Sequence, residues 1–448
     1  MSTNSLRRDL PMINSIHSPR RLILAAALAV PMIAGTACRD ITSLQQSNPG
    51  SLSAASTYLP ANAQLLINGA IGDFECAFSR YVTGVGLFTD ELSDAIASTA
   101  NFDYDRRSFT SSGPYGTQQC TPSANQQPAI YTTLSTARGS ADTALAKLRE
   151  WTDAQMPAGV SRIKLIGQAA AYAGYSLTLL GEAMCSAAIN VGPELTPAQL
   201  FAEAKIRFDS AVTAATAAND ATTLNFATLG RARTLLDLGQ AAAAATDAAK
   251  IPAGFVVNMS TDAINVRREN WVFVSINNSN FSTVDPSFRG LTINGAPDPR
   301  VAVTNTGKAG TTQGTVIWTA DKYPALATVM PIARYAEAQL IIADAKLAAN
   351  DVPGAVAAIN AARATHAGLP AYDATGQTAA QVLTQLVEER RRELFLEGHR
   401  LGDLRRYKLP ILPAAGTPYT LASGVYDQQS CFPLPDVERI NNPNINKP

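Results

Sequence analysis

Residues Glu388-Glu389-Arg390-Arg391-Arg392-Glu393-Leu394-Phe395-Leu396-Glu397-Gly398-His399-Arg400, followed by Asp403-Leu404-Arg405-Arg406, set opposite charges three and four positions apart on an otherwise apolar helix. A glycine stops that helix, and the chain resumes it after His399-Arg400. Charges at this spacing lie side by side on a helix, and guanidinium groups turned towards neighbouring helices form bidentate bonds that fix packing register. Arg334, Glu337, Glu389, Arg392, Glu393, Glu397, Arg400, Asp403 and Arg406 are therefore read as a structural network. Truncating Arg400 or Asp403 is expected to harm folding before it harms binding.

Helical periodicity spreads outward from this block. Ile332, Tyr335, Ala336, Leu340, Ala343 and Leu347 share one face of a helix over 332–349. Asn350-Asp351-Val352-Pro353-Gly354 breaks it, and Asp351 and Pro353 suit the first turn of a second helix carrying Val356, Ile359 and Ala362. Residues 229–240 with 241–250, 161–183 with 197–217, and 379–397 with 399–407 repeat this layout. Such pairs, with small residues at packing positions, are the mark of degenerate tetratricopeptide-like repeats. The fold class is mostly α: a helical scaffold over 130–250 and 332–407, and a C-terminal segment 408–448. Residues 73–129 and 251–331, rich in Asn, Ser, Thr, Gly and Pro, form a loop-rich region with short strands laid over the scaffold.

This charged block, the helix Arg334-Tyr335-Ala336-Glu337-Ala338-Gln339-Leu340-Ile341-Ile342-Ala343-Asp344-Ala345, and the tail Phe432-Pro433-Leu434-Pro435 with Asn442-Pro443 resemble the SusD/RagB family of surface glycan-binding lipoproteins. Asp344 stands where the family usually carries Glu. The resemblance implies a SusD-like fold, no cofactor, and an oligosaccharide ligand. It further implies a partnership with a TonB-dependent, SusC-like outer-membrane transporter. The matching positions belong to the scaffold, and the family's ligand-binding residues vary, so none is carried over.

Composition agrees with a folded chain: 448 residues, 46% apolar and 16% charged, suffice for a large core. Basic and acidic residues balance at 36 each, which leaves no electrostatic footprint for nucleic acid. Arg20-Arg21, the apolar run from Leu22, and Gly35-Thr36-Ala37 before Cys38 read as a lipoprotein signal over 1–37. Gly35 departs from the Leu usual in a lipobox. Lipidated Cys38 would be the sole membrane attachment of a single domain over 38–448, on the outer membrane at the cell surface. The remaining cysteines allow three pairings. Cys76–Cys120 with Cys185–Cys431 is expected, because Cys185 closes a helix and Cys431 opens the C-terminal segment.

No site chemistry stands out. Glu397 and His399 are two apart and face different ways, so no metal centre is expected. Neither a nucleophile elbow nor a phosphate-binding glycine loop is present. Asp90, Glu91 and Asp94 carry no spacing that singles out a glycosidase pair. The candidates left are loop aromatics, whose flat faces stack on the C–H faces of sugars: Trp318 first, then Trp271, Tyr323, Phe102, Tyr104 and Tyr115. Trp271 lies in the run Trp271-Val272-Phe273-Val274, read as a strand. A non-catalytic glycan-binding protein is the first reading. A polysaccharide-degrading enzyme and a helical-repeat adaptor for protein partners are the alternatives.

Overall fold

A computed structural model describes residues 54–120, 128–310, 315–419 and 423–445. The signal segment 1–37 and Cys38 lie outside the described residues. Within residues 1–57 the described part is a single helical turn, Ala54–Thr57, and residues 58–448 form one compact unit.

The scaffold helices, numbered in chain order, are α1 (Ala63–Phe88), α2 (Tyr131–Glu150), α3 (Arg162–Ala183), α4 (Pro197–Ala217), α5 (Ala221–Asp237), α6 (Ala241–Ala248), α7 (Tyr335–Ala348), α8 (Val352–Arg363), α9 (Ala379–Glu393) and α10 (Arg400–Arg406). From α1 to α8 each helix packs against the next in sequence, and α9 packs on α7 and α8. That is the stacked-hairpin arrangement of tetratricopeptide-like repeats. The short α10 returns to α1 and α3, joining the last hairpin to the first helices.

Local chemistry sets the helix starts. Thr196 and Thr378 open α4 and α9 with capping boxes closed by Gln199 and Gln381. Asp220 and Asp351 accept backbone N–H groups at the starts of α5 and α8. Gly174 on α3 and Gly230 on α5 leave room for the Phe208 ring of α4, which sits where a Cβ would stand.

Short antiparallel strand pairs order the loop-rich segments. Leu92–Asp94 pairs with Ser282–Val284, Val256–Met259 with Met330–Arg334, and Val303–Ala309 with Val316–Ala320. Thr292–Ile293 and Ala296–Pro297 close around Asn294-Gly295, both at positive φ.

Several boundaries differ from the expectation. Residues 73–88, read as loop, are the second half of α1. From Phe74 onwards this helix is buried on every side, so it lacks the polar face that periodicity detects. The run from Trp271 is helical, Trp271–Phe273 continuing into a π-turn, because the Asn270 carboxamide accepts the Phe273 N–H at 3.0 Å and caps it. Ile332 lies in the strand Met330–Arg334, paired to Val256–Met259, and the helix begins only at Tyr335. α9 ends at Glu393, before the glycine, in a tight turn where Leu396 and Gly398 both take positive φ.

Two disulfides tie the unit together, Cys76–Cys120 and Cys185–Cys431. Beside the second, the Phe432 N–H donates to the Ala183 carbonyl at 3.0 Å, and the Cys185 N–H to the Phe432 carbonyl at 2.8 Å. The C-terminal segment is thereby fastened to the end of α3.

Candidate ligand-binding face

The charged block from α9 to α10 is folded inward. Arg390 grips Asp403 with both nitrogens at 2.9 and 2.8 Å, and Arg406 reaches the same carboxylate at 2.7 Å. Arg400 clasps Asp90, just past α1, at 2.6 and 2.7 Å. Arg334 bridges Glu393 at 2.6 Å and Glu397 at 2.8 Å. Arg300, from the loop-rich region, reaches Glu389 at 2.6 Å, and Arg363 pairs with the same carboxylate. Arg392 binds Glu388 at 2.6 Å and Asp298 at 3.3 Å. These bonds pin the loops to the helices.

Burial alone would raise the pKa of Glu393, Glu389, Asp90 and Asp403. At Glu393 the hydrogen bond with His366 and the charge of Arg334 outweigh it and bring the group down to about 2. Glu389, Asp90 and Asp403 are likewise held below their ordinary range by their guanidinium partners. Glu337 lacks such a close clasp, with His399 Nδ1 at 4.0 Å, and burial carries it up to about 7.

Charged pairs missed in the sequence extend the network. Arg233 on α5 grips Glu182 on α3 with two bonds of 2.6 Å. Their separation of 51 residues leaves no local signal.

The aromatic candidates divide by burial. Tyr104 and Tyr115 surround Phe432, at 5.6 Å between ring centroids, and donate their hydroxyls to the Pro128 and Pro433 carbonyls at 2.9 Å. Tyr323 is buried with its hydroxyl on the Leu396 carbonyl at 3.0 Å, and Trp271 is buried beneath the Arg80 guanidinium at 4.4 Å. None of these four offers a free face to a sugar ring. They fill the core between loops and helices, a correction to their placement on a binding surface.

Trp318 and Phe102 are partly exposed. Trp318 stands on the strand Val316–Ala320 opposite Asn305, with its backbone N–H donating to Thr283 Oγ1 at 2.8 Å and the Arg289 guanidinium 5.3 Å from its ring. Phe102 lies in the short helix Thr99–Asp105 with Arg106 4.8 Å from its ring. Asn101 donates to the Phe281 carbonyl at 3.0 Å, so the Phe102 segment and the Trp318 strand flank the same strand, Ser282–Val284. These two partly exposed rings are the aromatic candidates that remain.

Two acids lie in the adjoining strand and helix. Asp94 accepts the Ile96 and Ala97 N–H groups, and Asp105 accepts the Asp94 N–H at 2.8 Å, while the Tyr419 hydroxyl reaches Asp105 at 3.2 Å. Burial pushes Asp94 to about 6 and Asp105 to about 7. Both act as turn anchors. Glu91 is enclosed, its Oε1 on the Leu396 N–H at 2.7 Å, and burial raises it to about 8. Among the described residues no group of three or more His, Cys, Asp or Glu is arranged to hold a metal ion, and no helix is long and apolar enough to cross a membrane.

Residues 265–444, which span the loops, α7 to α10 and the C-terminal segment, match the model of the SusD family. They belong to that family. The SusD-like fold extends over most of the chain. A SusD superfamily protein from Bacteroides fragilis superposes with a TM-score of 0.66 at 15% identity, covering 87% of this chain and 99% of that one. A SusD-like carbohydrate-binding protein from Bacteroides vulgatus gives 0.62 at 17% identity, covering 86% and 97%. A laminarin-binding SusD-like protein gives 0.62 at 14% identity, covering 86% and 99%. No protein with a curated description matches this sequence.

Proposed function

We propose that this chain is a non-catalytic glycan-binding lipoprotein of the cell surface, anchored through Cys38, that captures oligosaccharide and passes it to a TonB-dependent, SusC-like outer-membrane transporter. The observation carrying this reading is the partly exposed Trp318 on the strand Val316–Ala320, paired to Val303–Ala309. Solved SusD-like relatives named for carbohydrate and laminarin binding share the fold, which favours a saccharide as cargo. The carboxylates nearest the face favour binding over hydrolysis. Asp90 is clasped by Arg400, Asp94 and Asp105 hold turns, and Glu91 is enclosed. None stands free on opposite sides of a cleft, as hydrolysis of a glycosidic bond requires.

Isothermal titration against a glycan panel that includes laminarin-type β-glucan tests the reading. The intact chain should bind without releasing reducing ends. Trp318→Ala should weaken binding about fivefold, the loss of one ring stacking worth about 1 kcal/mol, while the variant, whose ring also packs on the core, stays folded with a lowered thermal midpoint. Release of reducing sugar by pure protein would favour the enzyme. Tight transporter association without any glycan binding would favour the adaptor.

A further inference from the structure

A groove separate from the Trp318 face opens between the Thr292–Ile293 hairpin and the loop after α8. Its volume is about 360 Å³, and Asn294, Tyr372, Asp373, Glu388 and Arg392 line it, with the Arg363–Glu389 pair at its base. We infer that this groove is a second saccharide site, selective for neutral or amino-substituted sugar units over acidic ones. Assigning a saccharide rests on the glycan-binding reading above; the groove and its selectivity rest on the residues that follow.

Tyr372 is fixed in place. Its backbone N–H donates to Asn360 Oδ1 at 2.7 Å, and its carbonyl accepts from Asn360 Nδ2 at 3.1 Å. The Arg363 guanidinium lies 5.6 Å from the ring, and the hydroxyl is paired with Gln377. A ring held this way binds at little cost in side-chain entropy. Across the groove, the Asn294 carboxamide sits at the exposed tip of the hairpin turn. Arg392 braces that wall by donating to the Thr292 carbonyl at 3.0 Å. One aromatic wall facing amide and carboxylate groups is the combination that recognises a polyhydroxylated ring.

Charge sets the class of sugar. Arg392 is already bound to Glu388, and Arg363 to Glu389, which leaves exposed Asp373 as the lining carboxylate without a guanidinium partner in the groove. A uronate or sulfated unit would meet that charge, whereas hydroxyls donate to it and an ammonium group pairs with it. The site also adjoins the first. Arg289, beside Trp318, and Thr292, in the groove wall, are three residues apart, so their Cα atoms are separated by no more than about 11 Å.

Titration of gluco-, manno- and xylo-oligosaccharides, chitosan oligosaccharides and oligogalacturonate tests the inference on the intact chain and on Tyr372→Ala, Asn294→Gly, Asp373→Asn and Trp318→Ala. Glycine takes the positive φ of position 294 without strain, so that variant keeps the fold if the tyrosine variant does not. Tyr372→Ala and Asn294→Gly should each weaken neutral or amino-sugar binding several-fold in the Trp318→Ala background. Asp373→Asn should reduce the preference for chitosan oligosaccharides over oligogalacturonate. Wild-type affinity in both Tyr372→Ala and Asn294→Gly, with binding lost in Trp318→Ala, overturns the groove alone. Failure of the intact chain to bind any of these sugars overturns both readings.

Discussion

Arg405 shows how single residues of this chain act as joints. Its Nη1 lies within hydrogen-bonding distance of the Gly181, Glu182 and Met184 carbonyls, at 3.2, 2.7 and 3.2 Å, where α3 ends and its last carbonyls have no partner within the helix. A cation there also meets the negative end of the helix dipole. Asp90 has the same standing for Arg400. Removing one partner of a buried pair leaves the other charge desolvated and alone, so Asp90→Ala should lower the free energy of unfolding by about 3 kcal/mol. Urea denaturation measures that loss, and glycan titration of the variant below its midpoint should show nearly unchanged affinity. At this scale the charged residues of the block were legible in the sequence. Of their partners, only those three or four apart, as in Glu388–Arg392 and Asp403–Arg406, followed from helix geometry. Asp90–Arg400 and Arg300–Glu389 join distant segments. The aromatic ones were not legible. Tyr104 and Trp318 look alike in sequence, and it is packing against groups such as Phe432, more than 300 residues downstream, that encloses Tyr104.

Among the elements, α1 is the hardest to see in the sequence and among the most enclosed in the fold. Its glycines and its hydroxyl-bearing and cysteine residues resemble a loop, while packing against α2, α3 and α10 makes it a helix. The helix pairs of α3 to α8 were legible because each keeps a polar face and ends in a recognisable break. Glycines within those helices test the packing. A Cβ at Gly230 would meet Phe208 ring atoms at 2.5 Å and Tyr175 at 2.8 Å, so Gly230→Ala should cost about 1–3 kcal/mol by overpacking. Gly139 on α2 has open space around its would-be Cβ, and Gly139→Ala should stabilise by up to about 1 kcal/mol through helix propensity. Thermal unfolding of the two variants should move in opposite directions.

For the molecule as a whole, the buried acids set a pH window. Glu91, Glu337 and Asp105 have folded-state values of about 8, 7 and 7, above those of the unfolded chain. The folded state then binds more protons, and the stability these groups contribute is complete near pH 4 and lost as pH rises towards 8. Glu393, Glu389, Asp90 and Asp403 have depressed values and act the other way, losing their contribution as the solution is acidified below about pH 4.5. The thermal midpoint should therefore fall on both sides of a mildly acidic maximum. Glu91→Gln keeps an acceptor for the Leu396 N–H and removes a carboxyl that burial pushes up to about 8. Its midpoint should decline less between pH 5 and 8 than that of the unaltered chain, as calorimetry across that range would show.

The sequence by itself determined the mostly α class, the helix pairs from α3 to α8, the charged block and the family resemblance. All of these follow from spacings within one element or from a continuous motif. The expected pair of 379–397 with 399–407 does not form, α9 packing on α7 and α8 and α10 on α1 and α3. The tertiary structure decided which aromatic rings are enclosed, where α1 ends, and that Asn294 and Tyr372 share a groove. Those outcomes depend on segments distant in sequence meeting in space, and burial is a property of the surroundings rather than of the residue.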